Sequence, residues 1–232
     1  MERETSNKIR TIVEDFIPPV LKDSILFRYV ARLAFGSYVE RAADFRARAP
    51  FLTEGEYVDF YRNSPHVHAD TDNSQACIDR IISEIEGQSV VDVGCGTGYL
   101  LRAIQNKHPR ITRLAGVEIV PPAPTDRLEF FEGKAERLPF RDNEFDTVIC
   151  THVIEHILDR RAAIAELRRV ANKRLIIVVP KERESLYSFN PHFHFFPYPH
   201  SFLRSMIPVP INYVCESIGR DIYYQETKSE LR

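Results

Sequence analysis

Three of the chain's nine glycines, Gly94, Gly96 and Gly98, fall within five positions, directly after the apolar run at residues 89–93. Glycine takes positive φ without steric cost and lets a backbone come close to a ligand. The residues that follow, 99–107, read as a helix. In open α/β sheets, ligands bind at the carboxyl ends of the strands, at the switch point. The rest of the chain has to be read around that strand–loop–helix unit.

Around it the pattern alternates. Ser74 or Asn73 caps a helix carrying Ile78, Ile81, Ile82 and Ile85 on one face, and Gly87 is expected to end it. Strands are expected at residues 89–93, 114–119, 128–132, 145–151 and 174–179. A helix capped by Asp159 runs through Ala171. Continuous apolar strands separated by helices indicate a parallel sheet covered on both faces. Residues 213–217 and 221–226, joined at Gly219, read as an antiparallel hairpin on its edge. Pro121, Pro122 and Pro124 rule out a helix in the crossover between the second and third strands.

Before residue 73 the character differs. Residues 25–35 have the spacing of a half-buried helix, and Thr53 with Glu56 forms a capping box ahead of Tyr57, Phe60 and Tyr61. Pro18, Pro19 and Pro50 divide this stretch. The expected organisation is a helical cap over residues 1–73 and a ligand-binding domain over 74–232.

At 232 residues, the chain is long enough to bury a core without disulfides or metals. Thirty-one Lys and Arg face 33 Asp and Glu, a balance that argues against a nucleic-acid partner. Cys77, Cys95, Cys150 and Cys215 form no C-x-x-C pair, which reads as a reducing compartment. Neither a secretory signal nor a membrane-spanning run is visible in the sequence, and a cytoplasmic location is expected.

The glycine loop departs from the dinucleotide fingerprint G-x-G-x-x-G. Its third glycine comes one residue early, and Tyr99 stands where glycine is wanted. Asp92, two residues before Gly94, suits a ligand with an ammonium group better than one with a pyrophosphate.

At this point a resemblance covers about residues 74–228. Residues 90–98, V-V-D-V-G-C-G-T-G, resemble the first motif of class I S-adenosylmethionine-dependent methyltransferases. Glu118 matches the acid that grips both ribose hydroxyls in that family. Residues 133–140, G-K-A-E-R-L-P-F, resemble the stretch lining the adenine pocket, and 145–149 the fourth strand. His152-Val153-Ile154-Glu155-His156 resembles the x-V-L-E-H segment after it. The pattern is similar to that of the ubiquinone/menaquinone-biosynthesis type.

The resemblance implies a Rossmann-like, doubly wound, mostly parallel seven-stranded sheet with an antiparallel C-terminal hairpin. It implies S-adenosylmethionine as cofactor and methyl transfer as activity. The cofactor contacts it implies are Asp92, Gly94, Cys95, Gly96, Gly98, Glu118, Ile119, Ala135, Glu136 and Thr151. Lys134 departs from the family, which has Asp or Asn there to accept from the adenine amino group. Lysine cannot accept, so Glu136 or a backbone carbonyl takes that role.

A hydroxyl acceptor needs a base, and histidine is the usual one. His152 is favoured because it follows the fourth strand, facing the reactive methyl in the family's layout; His192 and His194 come next. The last two sit in an aromatic, proline-rich stretch, residues 190–202, expected to wall the acceptor pocket. Tyr57, Phe60 and Tyr61 either close that pocket or glue the cap to the sheet. His152-x-x-Glu155-His156 also matches a zinc-peptidase pattern, but the resemblance already accounts for Glu155 and His156; no metal is expected, the alternative being a divalent metal on His152, Glu155 and His156, as in some ubiquinone-pathway relatives. His66, His68, Asp70 and Asp72 read as a solvated loop near the methionine end of the cofactor.

The expected function is methylation of a small-molecule acceptor, a hydroxyl of a sugar-like or natural-product compound. The alternatives are a quinone-pathway or lipid-linked acceptor, with residues 16–35 touching a membrane surface, and a non-catalytic cofactor-binding scaffold. A homodimer is compatible with each.

Overall fold

The computed structural model describes residues 17–63, 71–125, 127–187 and 190–228. Its chain divides into two compact units, Met1–Ala69 with Glu182–Phe195, and Asp70–Lys181 with Phe196–Arg232. His66, His68 and Asp70, singled out in the sequence, lie outside the described residues.

The helical unit starts with a short α1 (Pro19–Lys22), its proline at the first helical position. Ser24 caps α2 (Ile25–Phe35), its Oγ accepting the Phe27 N–H at 3.2 Å, and Gly36 at φ 66° ends it. α3 (Tyr38–Ala47) follows. α4 (Glu54–Arg62) begins with the capping box the sequence predicts. Thr53 Oγ1 accepts from the Glu56 N–H, and the Glu56 carboxylate accepts from the Thr53 N–H. Phe45 of α3 stacks on Phe60 of α4 with ring centroids 3.7 Å apart, flanked by Tyr57 and Tyr61.

Residues 182–195 join this unit through specific contacts. Phe193 stacks on Phe45, the Arg46 guanidinium donates to the Ser185 and Leu186 carbonyls, and the Leu186 N–H donates to Asp23. One expectation fails here. α2 forms where its periodicity placed it, but it buries Ala31 and leaves Ile25, Leu26, Tyr29, Val30 and Leu33 exposed.

In the other unit, Ser74 caps α5 (Gln75–Ser83). That helix stops four residues short of Gly87. Gly87, at φ 83°, instead makes a tight turn in which a Cβ would lie 2.3 Å from the Asp146 carboxyl group. The strands are β1 (Ser89–Val93), β2 (Arg113–Glu118), β3 (Glu129–Glu132), β4 (Phe145–Thr151), β5 (Ala171–Pro180), β6 (Tyr213–Ile218) and β7 (Asp221–Thr227). They form one sheet in the order β3-β2-β1-β4-β5-β7-β6. The first five are parallel; β7 runs antiparallel to both β5 and β6.

α6 (Tyr99–Lys107) links β1 to β2. α7 (Arg160–Val170) links β4 to β5 and begins at Asp159, whose carboxylate accepts the Ala162 N–H. A short α8 (Pro199–Leu203) precedes the hairpin. Between β2 and β3 the described residues form no helix, as the prolines require.

Strand residues alternate between two faces. Val90, Leu114, Ile149 and Ile176 pack against α5 and α6. Val91, Val117, Val148 and Ile177 pack against α7 and α8. Both faces are covered, which is why the strands carry near-continuous apolar runs.

Candidate functional site

The sheet order places the switch point between β1 and β4. From β1 the chain winds out through β2 and β3, then returns to the opposite side of β1. The glycine loop leaves β1 at that point.

Gly94, Gly96 and Gly98 have φ of 75°, 50° and 80°. Two of them are also required by packing. A Cβ on Gly94 would lie 2.1 Å from Val153 Cγ2, and one on Gly98 2.8 Å from Phe130 Cζ. A Cβ on Gly96 would meet nothing within 4 Å beyond its chain neighbours, so that side of the loop faces open space. The loop is pinned from behind, with the Gly94 and Cys95 N–H groups both donating to the Val117 carbonyl. The Cys95 side chain turns inward toward Gly116, where a Cβ would lie 2.6 Å from its sulfur, and burial pushes its thiol up. Gly116 is a requirement the sequence reading passed over.

Two carboxylates face this loop. Asp92 is 2% exposed, and its Oδ1 has no hydrogen-bond partner among the described residues. Burial, and then the nearby Glu118 charge, push its carboxyl up to about 7. Glu118 closes β2 with its carboxylate bent toward the loop, accepting the Gly96 and Ile119 N–H groups, each at 2.9 Å. A carboxylate has about four acceptor positions, so lone pairs remain for a ligand.

The segment after β3 is tied to the same place. The Gly133 N–H donates to the Glu118 carbonyl, and the Arg137 N–H closes a turn onto Lys134. Ala135 is buried in that turn and Glu136 half-buried beside it. At the end of β4, Thr151 is buried, its Oγ1 accepting from Asn73 Nδ2 at 3.0 Å.

His152 follows with φ 56°, its N–H donating to the Val178 carbonyl of β5. Its ring stands between two buried acids. Nδ1 is 3.6 Å from Glu155 Oε1, and Nε2 is 3.6 Å from Asp221 Oδ1. These distances are ion-pair contacts, slightly too long for hydrogen bonds. Burial lowers the imidazole's pKa, but Glu155, Asp221 and Asp72 outweigh it and the net direction is up. Asp221, at the start of β7, was not identified from sequence. No local motif points to it; only the antiparallel return of β7 beside β5 delivers it.

His192 and His194 belong to the helical unit. There His192 is buried with Nδ1 at ion-pair distance, 3.2 Å, from the Glu182 carboxylate, which accepts a hydrogen bond from Asn190 Nδ2. His194 is half-buried.

A buried acid whose Oδ1 has no hydrogen-bond partner among the described residues, and a carboxylate with acceptor positions beyond its two loop N–H groups, flank a backbone of left-handed glycines. Such a cradle suits a ligand with a cation at one end and a diol further along, and S-adenosylmethionine has both. The sheet order is the Rossmann-like one found in class I S-adenosylmethionine-dependent methyltransferases.

Residues 91–179 match a methyltransferase domain family. A Thermotoga maritima demethylmenaquinone methyltransferase is 32% identical over 104 residues, 43% of this chain and 45% of that one. A rice protein described as a probable tocopherol O-methyltransferase is 34% identical over 110 residues, 41% of this chain and 30% of that one. The chain thus spans less than half the length of these curated relatives. Among solved structures, a Haloferax volcanii methyltransferase in complex with the Trm112 activator superposes with TM-score 0.55 at 17% identity. That match covers 66% of this chain and 89% of that one. At such identity the likeness is one of fold.

Proposed function

We propose that this chain transfers the methyl group of S-adenosylmethionine to a small-molecule acceptor, a hydroxyl on a sugar-like or natural-product compound. The observation that carries the reading is the Asp92 carboxylate, buried beside an open glycine loop with Oδ1 unsatisfied. An isolated charge in such a place is costly unless a ligand pairs it.

In this reading Asp92 holds the ammonium group of the cofactor, Glu118 its ribose hydroxyls, and the open backbone at Gly96 lets the cofactor lie close. Ala135 and Glu136 border the adenine, and Thr151 the methionine end. The bound cofactor supplies an electrophilic methyl on a sulfonium, and the protein's contribution is alignment and exclusion of water. His152 takes the acceptor's proton. Glu155 and Asp221 flank the ring, a setting that favours the imidazolium formed when it takes that proton. His192 and His194 are the second choices for this role.

A second reading, a quinone-pathway or lipid-linked acceptor, is favoured by the apolar side chains exposed on α2. Relatives named for demethylmenaquinone and sterol methylation are in keeping with it.

Calorimetric titration with S-adenosylmethionine and S-adenosylhomocysteine tests the cofactor assignment. Asp92→Ala and Glu118→Ala should each weaken binding about tenfold to a hundredfold, the value of a hydrogen bond to a charged group. Absence of binding by the native chain refutes it. Transfer of labelled methyl to panels of hydroxylated sugars, phenols and quinols separates the two acceptor readings, and binding without transfer to any acceptor moves the scaffold reading to the front.

A further inference from the structure

Ile25, Leu26, Tyr29, Val30 and Leu33 recur at i, i+1, i+4, i+5 and i+8 and so share one face of α2. All five are between 54% and 89% exposed. Val20 and Leu21 of α1 add two more exposed aliphatic side chains just before it. Water-facing apolar residues scattered singly need no explanation, but a helix face made of them marks an interaction surface.

The charges around that face say what covers it. α2 contains Arg28 and Arg32 and no acid. Each arginine stands three positions after an apolar face residue, Ile25 and Tyr29, so the two form a row along one edge of the apolar stripe. They share a single carboxylate, Glu40, at 2.9 and 3.3 Å, and stay about half exposed. Residues 17–48 hold six Lys and Arg against three Asp and Glu, in a chain whose net charge is −2. Most of those cations lie elsewhere, Lys22 being buried and Arg41, Arg46 and Arg48 belonging to α3 and its end, so the exposed positive charge beside the apolar face is that of Arg28 and Arg32. An apolar stripe edged by arginine on an amphipathic helix is the composition that lies in the plane of an anionic bilayer. Apolar side chains enter the acyl boundary, and guanidinium groups reach the headgroups on long stems. Among the described residues no helix is long and apolar enough to cross a membrane, so the contact is with the surface.

We propose that α1 and α2 dock this protein on the surface of an anionic lipid bilayer. The proposal does not depend on methyl transfer, and its readout is independent of activity.

The test is flotation of the full chain with phosphatidylcholine vesicles, with and without phosphatidylglycerol. The native chain should float with the anionic vesicles and only weakly with the neutral ones. The double variant Leu26→Ser/Leu33→Ser should lower the partition coefficient about tenfold or more, through lost apolar burial. Arg28→Gln/Arg32→Gln should lower it several-fold on anionic vesicles only, and added salt should weaken native binding. All four positions are exposed, so far-ultraviolet circular dichroism and the thermal midpoint should stay unchanged and report an intact fold. The proposal is overturned if the native chain does not float, if the leucine variant floats as well as the native chain, or if neutral vesicles serve equally. It is also overturned if light scattering shows a dimer that the leucine variant dissociates while vesicle binding is absent; the face then belongs to a second copy.

Discussion

Asp92 sets stability against binding. Its folded-state pKa of about 7 lies above the ordinary value of about 4, so between those limits the folded chain holds a proton that the unfolded chain has released. Stability without cofactor therefore falls as pH rises from about 4 to about 7, by a few kcal/mol at most. Asp92→Asn should remove that slope and stabilise the chain at pH 8, while weakening cofactor binding; denaturant titrations at pH 5 and pH 8 check the first part. The glycines separate in the same way. Gly94→Ala meets Val153 and should destabilise by several kcal/mol. Gly96→Ala meets nothing and costs only its left-handed backbone, about 1–2 kcal/mol, so its larger effect should be on cofactor affinity. The three loop glycines were legible in the sequence because a strand–loop–helix turn with positive φ demands that residue type, whereas the proposed ribose role of Glu118 rests on the resemblance. Gly116 was not, since its reason is the Cys95 sulfur and the Phe130 ring from two other segments.

At the scale of elements, helix and strand positions were readable from periodicity and caps. Thr53, Ser74 and Asp159 all cap the helices they precede. Thr53→Ala should cost about 1 kcal/mol, seen as a lower denaturation midpoint. What an element meets was less readable. The period of α2 marks an apolar face without saying whether protein or something else covers it, and the meeting of the end of β4 with the start of β7, across β5, is fixed only by strand order. That meeting governs His152. Its pKa is raised in the folded state, so it contributes stability fully present below the unfolded value of about 6.5 and lost as pH rises through the higher folded value. Asp221→Asn removes one of the two flanking carboxylates and should lower that pKa. If His152 takes the acceptor's proton, the rising limb of the pH–rate profile should move to lower pH in the variant. A rate lowered equally at all pH values would leave Asp221 a structural role only.

Across the whole molecule, the helical unit is discontinuous. It gathers Glu182–Phe195 through Phe193, Arg46 and Asp23, contacts between residues more than a hundred positions apart that no local pattern announces. The sheet unit carries the residues proposed to hold the cofactor, and on that reading its folding is linked to the ligand. A ligand at a hundred times its dissociation constant stabilises by about 2.7 kcal/mol. For a domain of this size that is a rise in Tm of about 5–10 °C. The Asp92 proton makes the rise depend on pH. A cationic group binds the ionised carboxylate, so below about pH 7 binding must first displace the proton, and affinity should fall by as much as about tenfold per pH unit. At one fixed S-adenosylmethionine concentration, the rise in Tm should thus be larger at pH 8 than at pH 5.5. With Asp92→Asn it should be smaller and the same at both pH values. Scanning calorimetry on the two proteins at the two pH values decides it: an equal rise for the native chain at both would mean that the cofactor's ammonium group does not pair with Asp92.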